Sequence, residues 1–159
     1  MQNLLHDLLS TSQDIEKMIS KEEIEEKTNL KQIENLIEKF SKQYIQIKQN
    51  IYNILYMKFK NSIIYSKQIE EKLINADNLF LEFIQSIQTT ITNIQEIQKT
   101  FIPQKERLLK MQIEILNQQR IRLITIVNLI ISIITDIVEL LEEFSYERIQ
   151  NSENNMGNS

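Results

Sequence analysis

Glycine and proline are almost absent from this chain. Among its 159 residues, the only proline is Pro103 and the only glycine is Gly157. Globular α/β domains need glycine in tight turns, at helix C-caps and in ligand-binding loops. The scarcity therefore predicts an all-α fold, namely an elongated antiparallel helical bundle or coiled coil of about three long helices with a corner at Pro103.

Cysteine is missing altogether, and His6 is the only histidine. Disulfides, thiolate metal sites and cysteine nucleophiles are therefore excluded. Metal-binding bundles use Glu-x-x-His pairs, and the chain has none. The carboxylates of residues 22–26 are flanked by Lys21 and Lys27, which indicates a solvated face. No glycine-rich phosphate loop or nucleophile motif occurs. We predict a protein that is not an enzyme, without catalytic residues, metal or cofactor.

The first eighteen residues, MQNLLHDLLSTSQDIEKM, have neither a basic leader nor a long apolar run. We expect neither a secretory signal nor a transit peptide. Gln2 in place of glycine, together with the lack of cysteine, argues against myristoyl, prenyl and palmitoyl anchors. The predicted location is cytoplasmic.

The first predicted helix runs from about residue 12 to 60. Its heptad seam consists of Ile33, Ile37, Phe40, Tyr44, Ile47, Ile51 and Ile54. Such a seam favours a packed helix–helix interface. Residues 2–9 could form a short leading helix, with N-caps for the longer one at residues 10–12. Ser20 and Glu23 match a capping box that would restart the helix near residue 20. Residues 60–62 indicate either a turn or a kink.

Two further helices are predicted, at about 63–100 and 103–148. The seam of the second comprises Ile69, Leu73, Ala76, Phe80, Phe83, Ile87, Ile91 and Ile94. Pro103 places a tight corner at residues 100–103, because proline disfavours helix at the preceding residue but is tolerated in a first helical turn. Their similar lengths predict an antiparallel hairpin. Residues 1–149 then form one helical module, and residues 150–159 a disordered polar tail.

The stretch 121–141 is the most apolar part of the chain. Its polar residues are Arg122, Thr125, Asn128, Ser132, Thr135, Asp136 and Glu139. They fall on one helical stripe, which leaves an apolar face that covers more than half of the circumference. An ordinary surface helix has an apolar stripe of roughly 100°. This width predicts that at least two neighbouring helices, or a membrane, cover the segment.

This segment also carries the predicted protein interface. The proposed contact residues are Ile126, Asn128, Ile130, Ile133, Ile134, Ile137, Leu140 and Leu141. Asn128 would fix the register, as a polar residue in an apolar seam can, and Ile133→Asp would dissolve the assembly. The predicted function is a structural, scaffolding subunit of a larger coiled-coil assembly. Its partners would be other helical protein subunits, in a hetero- or homo-oligomer.

Negative charge is concentrated in the same region. Residues 111–159 hold seven acidic and three basic side chains, which accounts for the whole net charge of −4. Asp136, Glu139, Glu142 and Glu143 crowd the end of a helix, where the macrodipole disfavours negative charge. They form either a solvated acidic end or a docking site for a basic segment.

Two other functions compete with scaffolding. In the first, residues 121–141 anchor the chain in a membrane as a tether or fusion factor that faces the cytosol. The uncharged run 123–135 has only 13 residues, whereas a span needs about 20, so a soluble core helix is favoured. The second is nucleic-acid binding by interleaved lysines and tyrosines at Lys42, Tyr44, Lys48, Tyr52, Tyr56, Lys58 and Lys60. The acidic balance of the chain, pI about 5.2, disfavours it.

Overall fold

A computed structural model describes residues 1–20, 25, 30–58 and 63–157. Within these ranges the chain forms four α-helices and no β-strand: α1 (Gln2–Ser20), α2 (Leu30–Lys58), α3 (Ile63–Lys99) and α4 (Lys105–Gly157). The predicted all-α fold is confirmed. The capping box at residues 20–23 and the choice between turn and kink at residues 60–62 involve positions outside the described residues.

The helices pack as an antiparallel ring in the order α1, α2, α3, α4. Hydrogen bonds join Gln119 of α4 to Ser86 of α3 and Lys105 to Gln98, so these two helices run in opposite directions. Contacts of Arg120 with Ile19 and of Gln2 with Glu142 show the same for α1 and α4. The α3–α4 pair is the most extensive of the four adjacent pairs, and the α2–α3 pair is the least.

The predicted seams form the core of this ring. Ile33, Ile37, Phe40, Tyr44, Ile47 and Ile51 of α2 are buried, as are Ile69, Leu73, Ala76, Ile87, Ile91 and Ile94 of α3. Phe80, Phe83 and Ile54 are partly buried against them. Because apolar residues three and four positions apart share one face of a helix, the heptad spacing placed these side chains correctly.

The first helix differs from its prediction. We expected one helix from about residue 12 to 60 in a bundle of about three, but the described part of this range includes residues of two helices, α1 and α2. Helix α1 begins at Gln2 and continues without a break through residues 10–12. Thr11 and Ser12 are buried in mid-helix, where their hydroxyls donate to the carbonyl oxygens of Asp7 at 3.1 Å and Leu9 at 2.6 Å. Such back-bonding satisfies the hydroxyl groups without ending the helix. Ile15 and Ile19 then pack near Ile33 at the start of α2.

The far end of α1 is tied to α4. The guanidinium Nη1 of Arg120 donates a hydrogen bond of 2.7 Å to the carbonyl oxygen of Ile19. The last carbonyls of a helix have no partner within the helix, so this bond satisfies one of them and complements the negative end of the helix dipole. Arg120 therefore fixes α1 along α4.

The corner predicted at residues 100–103 is present. Helix α3 ends at Lys99, and α4 begins at Lys105, two residues after Pro103. Gln104 adopts a left-handed φ of 69°, a conformation that glycine adopts more readily than other residues. Its carbonyl accepts the first backbone hydrogen bond of α4, from Leu108 at 3.0 Å. Helix α4 extends to Gly157, so most of the predicted disordered tail, residues 150–157, is helical here.

Adjacent positions on α4 provide a test of this packing. Ile130 is fully buried, whereas Leu129 is 46% exposed. We expect Ile130→Ala to lower the free energy of unfolding by about 2–4 kcal/mol, because it leaves a cavity in the core. Leu129→Ala should cost less than about 1 kcal/mol. Urea denaturation of both variants measures the difference, and equal losses would contradict the placement of the core.

Candidate protein interface

The eight residues predicted as an interface fall mostly inside the bundle. Ile126, Ile130, Ile134, Ile137 and Leu141 are buried, while Ile133 and Leu140 are partly buried against the core. Asn128 is exposed. Helix α4 packs on α3 and α1, so the two neighbours that its wide apolar face requires come from the same chain. A partner can contact only the part of α4 that these helices leave open.

The polar stripe of α4 faces outward as predicted. Arg122, Thr125, Asn128, Ser132, Asp136 and Glu139 are exposed or half-buried, and so is Thr135. The acidic candidates Asp136, Glu139, Glu142 and Glu143 are all exposed. Glu142 accepts a hydrogen bond from the side chain of Gln2, so one of the four carboxylates links α4 to α1.

A narrow apolar stripe remains open on the flank of α4 that faces α3. Arg122 marks this flank, since its guanidinium lies 5.0 Å from the ring centre of Phe83. Ile115 and Leu129 lie seven residues before and after Arg122, which is two helical turns in each direction. We define the α4 stripe as Met111, Ile115, Leu129, Ile133 and Leu140. The first three are exposed by 51%, 39% and 46%.

The α2–α3 groove holds a small polar cluster. Asp77 of α3 accepts a 2.6 Å hydrogen bond from the hydroxyl of Tyr44 and a 2.5 Å bond from the ammonium of Lys48, one at each carboxylate oxygen. The Tyr44 ring stacks on Phe80 with centroids 4.6 Å apart. These contacts join the two helices at one defined register. Burial, and then the hydrogen bond to the Asp77 carboxylate, raise the pKa of the Tyr44 phenol above its ordinary value.

Among the described residues, no group of three or more acidic, histidine or cysteine side chains lies close enough together to hold a metal ion. A surface depression on α3 is lined by Gln85, Gln88, Thr89, Thr92 and Asn93, none of which is titratable. His6 and Glu25 are exposed, while the other acidic residues of the 22–26 run lie outside the described part.

The packing buries one tyrosine of the lysine–tyrosine series and leaves two others exposed. Tyr44 is buried, whereas Tyr52 and Tyr56 are 40% and 68% exposed. Lys48 forms its ion pair with Asp77, and Lys42 lies 3.2 Å from Glu38. Two of these lysines are thus paired with carboxylates of the same chain, which weakens any attraction for phosphate.

The Tyr44 cluster predicts a specific pH dependence. The raised pKa keeps the Tyr44 phenol neutral in the folded chain, whereas the phenol ionises near pH 10 in the unfolded chain. The stabilisation from neutral Tyr44 is therefore complete below pH 10 and is lost as the pH rises above 10. We expect Tyr44→Phe to cost about 1 kcal/mol at neutral pH. That deficit should shrink by about 1 kcal/mol between pH 10 and 11. Chemical denaturation at several pH values, with Tyr56→Phe as control, measures it, and a pH-independent deficit would contradict the assignment.

No protein-family model matches the chain, and neither the curated proteins nor the solved structures include a significant match to it.

Proposed function

We propose that this protein is a non-enzymatic structural subunit that binds partner helices along the α4 stripe. The observation that carries the proposal is the stripe itself. Five apolar positions keep to one flank of α4 from Met111 to Leu140, a distance of about 44 Å at 1.5 Å per residue. Three of the five are exposed and two are partly buried, with Arg122 between Ile115 and Leu129. An exposed apolar surface beside a core is typical of a protein interface, and the straight, narrow shape of this one suits a helix.

Acidic residues on the outer face of α4, beside the α4 stripe, would determine which partner helices bind. Asp136, Glu139 and Glu143 are exposed next to the C-terminal half of the stripe. A partner helix with basic residues along one edge would be attracted there, and an acidic helix would be repelled. Arg122, in the middle of the stripe, would restrict the register, because a buried guanidinium needs an acceptor on the partner.

A second candidate function follows from the hydropathy of α4. The segment Lys105–Phe144 is long and apolar enough to cross a membrane, with a mean hydropathy of 2.1 over its most apolar window. Only 39% of that window is buried inside the bundle. In this alternative, the chain is a tail-anchored tether that must release α4 from α1 and α3 before insertion. Core helices of soluble bundles meet the same criteria of length and composition, so we favour the first function.

The test of scaffolding is the native size of the protein in its own cells. We expect the wild-type chain to elute from a cell extract in a complex larger than the purified chain forms alone. Leu129→Asp adds a charge in the middle of the stripe at an exposed position, so it should return the protein to its purified size while leaving the helical circular dichroism unchanged. Ile133→Asp is a poorer probe, because Ile133 packs partly on the core. Elution of the wild type at its purified size would contradict the proposal.

Carbonate extraction separates the two functions. A soluble subunit should appear in the supernatant after alkaline carbonate washing of the membrane fraction. A tail anchor with α4 in the bilayer should stay in the pellet and leave it only with detergent.

A further inference from the structure

The surface of the α2–α3 groove has a regular arrangement around one ion pair. The ammonium of Lys48 and the carboxylate of Asp77 meet at 2.5 Å, and their side chains are 29% and 27% exposed. On α2, the residue three positions before Lys48 is Ile45 and the residue four positions after it is Tyr52. On α3, the residues at the same offsets from Asp77 are Ile74 and Leu81.

These offsets place all four apolar residues in the open groove. Positions three before and four after share the face of the central residue, and all four side chains are exposed, by 48%, 40%, 55% and 50% in the order Ile45, Tyr52, Ile74 and Leu81. Because α2 and α3 are antiparallel, Ile45 lies at the level of Leu81, and Tyr52 at the level of Ile74. The groove therefore has two apolar layers with a charged layer between them.

The charged residues near the ion pair differ between the two helices. On α2 they are Lys48 and the exposed Lys42, which lies 3.2 Å from the exposed Glu38 one turn earlier. On α3 they are Asp77 and the exposed Glu82, with the exposed residues Lys67, Glu70 and Glu71 closer to the start of the helix. At the levels of Lys48 and Lys42, α2 thus presents a lysine where α3 presents a carboxylate, and this pattern is complementary to a rotated copy of itself.

We propose that the α2–α3 groove is the interface of a symmetric dimer formed with a second copy of this chain. A two-fold axis parallel to the helices brings α2 of each copy onto α3 of the other and keeps every residue at its own level. Each apolar layer then gains the same two residues from the second copy. In the charged layer, Lys48 faces the second copy's aspartate and the charges alternate. A two-fold axis across the helices would instead oppose lysine to lysine, so the charge pattern selects one orientation.

The same axis creates a new ion pair at the edge of the interface. Lys42 and Glu82 lie at one level on opposite edges of the groove, since Lys48 and Asp77 set the register of the two helices. In the dimer, Lys42 of each copy faces Glu82 of the other, which gives two equivalent pairs. In a monomer, Lys42 and Glu82 lie on opposite edges of the groove and do not meet.

The first experiment is light scattering of the purified chain. We expect a mass of twice the 19.0 kDa chain. Leu81→Asp should return the mass to that of one chain without loss of helical circular dichroism, since Leu81 is exposed in the folded chain. Leu129→Asp, which tests the proposed function on α4, should leave the dimer intact, so the two proposals can fail separately. A wild type that stays monomeric at its highest soluble concentration, or a dimer that survives Leu81→Asp, would overturn the inference.

A charge exchange tests the orientation. Lys42→Glu alone places glutamate opposite glutamate, and Glu82→Lys alone places lysine opposite lysine, so each variant should dimerise roughly tenfold more weakly than wild type. In an equimolar mixture of the two variants, a dimer with one copy of each has opposite charges at both edges. At one edge the introduced glutamate faces the introduced lysine, and at the other edge the unaltered Lys42 faces the unaltered Glu82, so dimerisation should recover.

An effect within one chain, such as loss of the Lys42–Glu38 pair in Lys42→Glu, cannot produce recovery on mixing, because each variant chain is unchanged by the presence of the other. A mixture that stays as weak as its components would overturn the proposed geometry.

Discussion

The width of the apolar face on α4 is the constraint on which the packing of the other helices depends. Hydrophobic burial is non-directional and grows with the area removed from water, so a helix that is apolar over more than half of its circumference is stable in water only between two neighbours. Helix α3 covers one side through the hairpin at Pro103, and α1 covers the other. Arg120 fixes α1 in place by binding the carbonyl oxygen of Ile19, 101 residues earlier in the sequence.

Helix α2 is held to α3 in a different way. The α2–α3 pair is the least extensive in the ring, and its contacts at the groove are polar. Tyr44 donates a hydrogen bond to Asp77 from a buried position. Without Asp77, the buried Tyr44 hydroxyl would have neither water nor this acceptor to bind, which is costly. Apolar burial thus supplies most of the stability, while this cluster selects one register from several that Ile-rich seams would permit.

The sequence predicted those features that depend on local periodicity. The seam from Ile33 to Ile51 is buried because residues at heptad spacing share a face, and the corner at Pro103 follows from the missing amide hydrogen of proline. The extent of α1 was not predictable, because threonine and serine favour helix N-caps, whereas Thr11 and Ser12 back-bond in mid-helix once packing buries them. The α2–α3 groove was also missed. Ile45 and Leu81 lie outside the seams, and their proximity depends on which helices are neighbours, which a single sequence does not specify.

The α4 interface was predicted from residues that the bundle itself buries, for a physical reason. The most apolar residues of a soluble chain are those that its own core needs first, so Ile130 and Ile134 were taken up by α1 and α3. What remains for a partner is the edge of that face, where Ile115 and Leu129 extend beyond the area that α3 covers. The strongest apolar run of such a chain therefore indicates its own core first, and the proposed partner surface lies beside that run.

The two proposed surfaces occupy adjacent faces of the ring and share only α3. The dimer would use the side of α3 near Asp77, and the α4 stripe borders the side near Phe83, so a partner helix on α4 need not displace the second copy. A dimer of this kind would present two α4 stripes related by the two-fold axis. Two identical sites held on one particle raise the effective concentration for a partner that is itself repeated or dimeric, so modest contacts at each stripe could still give tight binding. Self-association through α2 and α3 would then strengthen scaffolding through α4 without adding any contact to it.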